Sequence, residues 1–510
     1  MNKKVKIIAE IANAHQGSSK DALNLAKAFV NAGADAIKFQ IYFADELLVK
    51  NHKRFKHFNE QSFSKAQWGS LLSKSKKLGV EIYADIFGIQ AYKVAKKFKV
   101  DGYKIHSSDL NNTPLLQLLG KDTKKIFLAI GGSTILEIHN ALKILNTYNN
   151  KNEIILMHGF QSYPTATEDS NLNRLNILKK TFNSNIKIGY SDHISGDDYF
   201  SSIVPILALP YKVSYIEKHV TFNREKKGVD YYSSIEPKQF KQFIFDINRA
   251  EKSLGDNLFS FPEAEKKYRN SVKKSWTALK LLKKGAIISA NDIAMKRTSD
   301  FVQPLLYEEV VGKKIKKAIR PEQAITRDML EHKVLAVIVA RMESSRLPKK
   351  AIKLINNKPA IEHLFERISI AKKKKFIDTI AFCTTNLPID DELINLANNY
   401  DIKVYRGAVK DVLSRMMLAI NDNEDHDIVI RITGDDILID PYYLNKTIKY
   451  HNFNNAQYTD AKRLPSGTDT EVFQKGLLKT IFDLSSDTSG SEYLTTYVKN
   501  NADQFEIASL

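Results

Sequence analysis

VKIIAEIANAHQGSSKDALNLAKAFVNAGADAIKFQIY (5–42) decides the fold. Its two ends, VKIIAEIA (5–12) and AIKFQIY (36–42), are apolar runs rich in β-formers and bounded by turn residues. Between them, SSKDALNLAKAFVNAG repeats its apolar residues at helical spacing, with Ser caps before it and Gly33 as its stop. A strand, a helix and a strand in that order make a parallel pair. The same alternation continues through VEIYADIF (80–87), GYKIHSS (102–108), KIFLAIG (125–131), EIILMHG (153–159), IKIGYSDH (186–193) and VSYIEKHVT (213–221). Eight such strands predict an α/β chain that begins with a (β/α)₈ barrel; an open doubly wound sheet is the alternative.

Beyond this region the pattern changes. The amphipathic helix PKQFKQFIFDINRAEKSLG closes a first domain, residues 1–255. Residues 256–270 read as a polar linker, and 271–332 as a compact module of short strands and turns. A third block, 333–510, starts with the strand VLAVIVA and again alternates strand and helix, as a Rossmann-like α/β domain does.

Composition narrows the function. With 510 residues and 43% hydrophobic content the chain can bury several cores. No apolar run is long enough to cross a bilayer. Glu10 interrupts the N-terminal apolar stretch, which therefore reads as a first strand rather than a secretory signal, and the chain as cytoplasmic. The lone Cys383 sits in TIAFCTT, where a buried strand thiol is expected. The net charge of +19 comes from lysine spread along the chain, and KKKK (372–375) falls at a helix end. Nucleic acid and membrane are thus not the expected partners; the field favours anionic substrates instead.

Barrel enzymes build their sites at the C-terminal ends of the strands. Here those ends carry Glu10, Lys38 with Gln40, Asp85, Lys104 with Ser107, His158, Ser191 with His193, and Glu217 with His219. Strand alternation puts each such pair spaced by two on one face. Two lysines suit a small anion with two charged ends. Two histidines with few neighbouring acids and no cysteine could hold Mn²⁺ or Mg²⁺, with water and substrate oxygens completing the shell.

The runs IIAEIANAHQGS, GADAIKFQ, YKIHSSDLNNTPLL, YPTATEDSNL, IGYSDH and IEKHVTFNR resemble the successive motifs of the sialic acid synthase family. The resemblance implies condensation of phosphoenolpyruvate with an N-acetylmannosamine-like amino sugar, with release of phosphate. It implies a metal on His193 and His219, and phosphoenolpyruvate on Lys38, Lys104, Ser107 and Ser191. Glu10, Gln40, Tyr163 and Asp230 would face the sugar and the reacting centre. Asp85 stands where a threonine is common, Ala129 where a serine is common, and Gln161 where an asparagine is common. These departures point to a different acceptor sugar.

KKGAIISANDIAMKR resembles the antifreeze-like (SAF, β-clip) module that follows the barrel in that family. It implies that Arg297 reaches the acetamido group in a partner's barrel, and hence a homodimer; Thr298 replaces the usual proline. From Val334 onward, VLAVIVARMESSRLPKKAIKL, RITGDD and SGTDTEVF resemble spore-coat-polysaccharide-type cytidylyltransferases. Arg341, Ser345, Arg346 and Lys350 would bind CTP, and Asp435 would hold Mg²⁺. Glu343 replaces a loop glycine, and the resemblance implies a further strand and helix after IASL. The reading is a bifunctional enzyme. The alternatives are a synthase carrying a non-catalytic nucleotide-binding or assembly domain, and a non-catalytic basic binding protein.

Overall fold

The computed structural model describes residues 4–122, 124–148, 152–182, 186–255, 261–343, 347–461, 464–465, 467–485, 487–489 and 493–510. They form two compact units, residues 1–256 and 257–510. Among the described residues no helix is long and apolar enough to cross a membrane.

All eight expected strands of the first unit are present: β1 (Lys6–Glu10), β2 (Ala36–Tyr42), β3 (Glu81–Phe87), β4 (Gly102–Ile105), β5 (Lys125–Ala129), β6 (Glu153–His158), β7 (Lys187–Asp192) and β8 (Tyr215–His219). They run parallel in sequence order, and β8 closes on β1. The first helix, Ser19–Asn31, starts as read: Ser18 caps it by accepting from the Asp21 backbone N–H, and Ala22, Leu25, Ala26 and Phe29 face the core. Gly33 makes the turn into β2 at φ +104°, a conformation that favours glycine.

Strand alternation stacks the lumen in layers. At the N-terminal end Lys6 and Lys125 pair with Glu81, and Lys187 with Glu153. Above them Ile8, Ala36, Tyr83, Phe127, Ile155, Met157 and Tyr215 form a dry plug. The next layer, at the C-terminal end, is ionic. In register, Glu10 lies opposite both Lys38 and His219, Asp85 opposite both Gln40 and Lys104, and Ser191 opposite Glu217.

The stretch 256–270, expected as linker, runs into a helix, Glu263–Val272, with no buried residue. It has Glu263 and Glu265 in its first turn and Arg269 in its last, favourable to the helix dipole, but no apolar stripe to announce it.

In the second unit, β9 (Ser275–Ala278) and β10 (Ile293–Lys296) form an antiparallel pair over a small core that includes Leu282, Ile288, Ile315 and Leu330. The C-terminal block contains β11 (Val334–Val339), the short hairpin β12 (Leu354–Ile355) and β13 (Lys358–Pro359), then β14 (Thr379–Thr385), β15 (Lys403–Gly407) and β16 (Ile428–Thr433). It ends with β17 (Tyr458–Asp460), β18 (Glu471–Gln474) and β19 (Ile507–Ser509). The main sheet has the order β15-β14-β11-β16-β18-β17-β19, with apolar layers on both faces. Cys383 is buried in β14, and burial pushes its thiol up to about 12, so it is an inert core thiol as expected. The Lys372–Lys375 run is an exposed helix end.

The middle module is bolted onto this sheet domain by Arg327, which is 2% exposed. Its guanidinium donates to Glu309 at 3.0 Å and to the Ala456 carbonyl at 2.5 Å, while its backbone N–H donates to Asn455. Lys313 also pairs with Asp427.

Candidate active sites

The ionic layer brings Glu10, Lys38 and Lys104 together with Asp85 and Glu217, all buried. Lys38 Nζ is in contact with Glu10, 3.1 Å from Glu217 and 3.4 Å from Asp85. Lys104 Nζ is 2.6 Å from Glu217 and 4.0 Å from Asp85. An acid at position 85 beside a bound phosphate would repel it; here both lysines flank that acid. Three carboxylates thus share two ammonium groups, leaving one negative charge in excess. That excess settles on Glu10: burial, outweighing Lys38, lifts its carboxyl to about 7. Burial also acts on Glu217, but Lys104 and Lys38 overcome it and hold this carboxyl low. Against burial, the three acids keep Lys38 firmly protonated.

His193 and His219 share the same mouth, with ring centroids 5.3 Å apart. Burial lowers both, His219 to about 3, so both rings are neutral at physiological pH. A ring nitrogen of His193, Nδ1, is 2.8 Å from the Phe160 carbonyl, to which it donates, leaving Nε2 with a free lone pair. His219 Nδ1 is buried without a hydrogen-bond partner. Two neutral imidazoles, one oriented from behind and one with an orphaned nitrogen, fit a divalent ion. Among the described residues no group of three or more His, Cys, Asp or Glu converges, so water and substrate oxygens would complete its shell.

Around this pair stand other expected residues. The Tyr163 ring lies 4.5 Å from His193 and 5.8 Å from His219, and its hydroxyl donates to Gln161. Ser191 is buried and its hydroxyl has no partner. Gln40 is half-buried on β2, and Ser107 opens the turn after β4. Asp230, at φ +62°, is pushed up by burial, against the Asn13 backbone N–H. His158 belongs elsewhere. Its ring points out of the lumen to the Ser170 carbonyl at 2.9 Å, because alternation gives the inward position to Met157. Ala129 is buried at the end of β5. Sequence reasoning noted Glu217 without giving it a role. Its spacing of two from His219 was the available signal.

Arg297 is exposed just after β10, in the second unit. In the sheet domain a cavity of about 440 Å³ lies at the ends of β11 and β16, lined among others by Arg341, Glu343, Lys350, Arg415, Arg431 and Asp435. Three expected residues meet there: Lys350 pairs with Asp435, and Arg341 donates to the Val409 carbonyl at 2.9 Å. Ser345 and Arg346 lie outside the described residues. Burial acts most strongly on Asp435, but Lys350 and Thr433 together overcome it and lower this carboxyl, whereas burial raises Asp436 to about 6. Glu471 is tied to Arg431, Tyr458 and Thr495. Arg415 was missed; a basic residue beside Leu413, Met416, Ala419 and Ile420 on a buried helix was its signal.

Comparison with known proteins gives matches along the chain. The profile of the NeuB family matches residues 25–258, that of cytidylyltransferases residues 335–507, and that of the chaperone for flagella basal body P-ring formation residues 273–339. A pseudaminic acid synthase of Campylobacter jejuni is 30% identical over 332 residues, covering 62% of this chain and 94% of that protein. The N,N'-diacetyllegionaminic acid synthase of Campylobacter jejuni is 28% identical over 338 residues, covering 63% and 99%. Among solved structures, spore coat polysaccharide biosynthesis protein E of Chromobacterium violaceum is similar with a TM-score of 0.54, at 21% identity, covering 64% of this chain and all of that one.

Proposed function

Because this chain belongs to the NeuB family, a family of nonulosonic acid synthases, we propose that its barrel joins phosphoenolpyruvate to an N-acetylated amino sugar and that its last domain then charges the product with CMP from CTP. The observation that carries the first part is the joint presence, at one mouth of a closed barrel, of two acid-balanced lysines and two neutral histidines. The proposed domains are 1–255, 271–332 and 333–510. The proposed setting is the cytoplasm, and the proposed assembly a homodimer in which Arg297 of one copy binds the acetamido group in the other's barrel.

The family resemblance implies the roles, and the shared mouth of the barrel supports them. Lys38 and Lys104 bind the phosphate and carboxylate of phosphoenolpyruvate, with Ser107 and Ser191 donating hydroxyl hydrogen bonds. Gln40, Tyr163 and Asp230 orient the open-chain sugar. A divalent ion on His193 and His219, Mn²⁺ or Mg²⁺, would supply Lewis acidity at the sugar aldehyde. The methylene carbon of phosphoenolpyruvate forms a bond to the aldehyde carbon, the carbonyl oxygen takes the proton carried by Glu10 and becomes a hydroxyl, and positive charge develops at C2 of the donor. Water adds at C2, losing its proton to the Glu10 carboxylate, which is poised near neutrality. Breaking the C2–O bond then expels inorganic phosphate. The protein's contribution is mostly orientation and fixed charge.

In the sheet domain, the sugar's anomeric hydroxyl attacks the α-phosphorus of CTP and pyrophosphate leaves. Arg341 and Lys350, with Ser345 and Arg346, bind the triphosphate, and Asp435 would hold a Mg²⁺ that neutralises its phosphates. A second reading keeps this domain as a nucleotide-binding module without catalysis; the Lys350–Asp435 contact and Glu343 on the cavity wall favour it. The test incubates the full chain with phosphoenolpyruvate, Mn²⁺ and a panel of N-acetylated hexosamines, recording phosphate release and product mass, then adds CTP and follows pyrophosphate. Phosphate release that survives both Lys104→Ala and His193→Ala refutes the synthase mechanism. Pyrophosphate release lost in Asp435→Asn, with phosphate release intact, excludes the second reading.

A further inference from the structure

The cavity of the sheet domain contains a buried cation that, among the described residues, makes no direct ion pair, Asp390 and Asp411 acting on it only from further away. Arg415 lies on the helix Val412–Asp422 and is 2% exposed, yet it lines the cavity. Its Nε and Nη1 have no hydrogen-bond partner. The other basic groups of the cavity are engaged: Lys350 with Asp435, Arg431 with Glu471, and Arg341 with the Val409 carbonyl. The position is built rather than incidental. The Cys383 thiol donates to the Arg415 carbonyl at 3.4 Å, and a Cβ at position 407 would come within 2.8 Å of Arg415 Cγ, so Gly407 leaves the side chain its passage.

An unpaired guanidinium held out of water is unfavourable unless something charged completes it. A guanidinium spreads its N–H donors in one plane, and phosphate or carboxylate oxygens are the charged acceptors that satisfy them. We propose that Arg415 is the buried oxyanion receptor of this cavity, its unpartnered Nε and Nη1 groups donating to oxygens of the bound ligand. The inference rests on the cytidylyltransferase reading of this domain. The oxyanion belongs either to the phosphate chain of the nucleotide or to the carboxylate of the acidic sugar.

The test is calorimetric titration of the full chain and its Arg415→Met and Arg415→Lys variants with CTP plus Mg²⁺, pyrophosphate, cytidine and N-acetylneuraminate. Arg415→Met should weaken one oxyanion ligand on the order of 30-fold or more, the loss of a charge-assisted pair, and leave cytidine unchanged. Arg415→Lys should recover part of it. Weakening of CTP and pyrophosphate together assigns the phosphate chain; weakening of the sugar acid alone assigns the carboxylate. Thermal unfolding without ligand supplies the control: Nε and Nη1 lose no partner among the described residues, so Arg415→Met should unfold no earlier than the parent. If the Met variant does not fold, the Lys variant's affinities decide in the same way. Unchanged affinities overturn the inference alone. A parent protein that binds none of the four ligands overturns the cytidylyltransferase reading, and this inference with it.

Discussion

Removing Lys104 should harm the barrel more than removing the acid it touches. Lys104 Nζ lies 2.6 Å from Glu217, whose other oxygen is 3.1 Å from Lys38. The layer carries one excess negative charge, so Lys104→Met raises the excess to two, whereas Glu217→Gln brings it to zero. At an effective dielectric constant near 20 the 2.6 Å contact corresponds to about 6 kcal/mol of gross attraction. The net cost of orphaning a buried partner is about 3–5 kcal/mol, which sets the expectation for Lys104→Met. Glu217→Gln leaves Lys104 with Asp85 and should cost about 1–3 kcal/mol. In the double variant the orphaned acid is gone, so its cost should fall about 2–3 kcal/mol short of the sum. Urea unfolding in a Trp276→Phe background isolates the barrel, because Trp68, buried in the barrel unit, is then the sole tryptophan. Equal single costs that add would show that the layer does not act as one coupled charge system, and the site reasoning would fail.

Other consequences can be measured separately. Glu10 titrates near 7 in the fold against an ordinary 4.5, so between these values the folded barrel retains a proton that the unfolded chain has lost. Its contribution is full below pH 4.5 and fades as pH rises to about 7, on the order of 3 kcal/mol, and Glu10→Gln should flatten that part of the stability–pH profile. His193→Ala and His219→Ala should each weaken Mn²⁺ binding on the order of tenfold or more, seen by electron paramagnetic resonance, while leaving the barrel folded. Arg327→Ala should destabilise the second unit by about 3–5 kcal/mol, because Glu309 and the Ala456 carbonyl lose a buried partner; Trp276 fluorescence reports it.

The barrel was readable because eight apolar strands alternate with helices, and the polar residues at their ends obey a period of two. That same period assigned Lys38 with Gln40, and Glu217 with His219, to shared faces. His158 does end β6 as read, but register turns its ring outward and gives the lumen to Met157. The partners of Lys38 and Lys104 were not readable, because which acids meet them depends on strand stagger around the closed barrel rather than on local sequence. The helix at 263–272 escaped notice because it buries nothing. Arg327 was equally silent: a surface-type residue becomes a core residue only once the middle module and the sheet domain meet.

The ionic layer also says why a donor site should contain acids at all. Lysines buried alone would shed their protons, and a neutral amine holds an anion poorly. Asp85, Glu217 and Glu10 keep Lys38 charged in a dry lumen before any ligand arrives, at the cost of one excess negative charge. An entering phosphate-bearing anion makes the local field more negative still, which must raise the affinity of Glu10 for its proton. Donor binding should therefore draw up close to one proton per site near pH 8 and about half a proton at pH 7, where Glu10 is already half protonated. Titration calorimetry in two buffers of different ionisation enthalpy measures that number, and Glu10→Gln should reduce it to near zero. An uptake unchanged by Glu10→Gln would mean that the proton goes elsewhere, and that Glu10 is not the group that balances the layer.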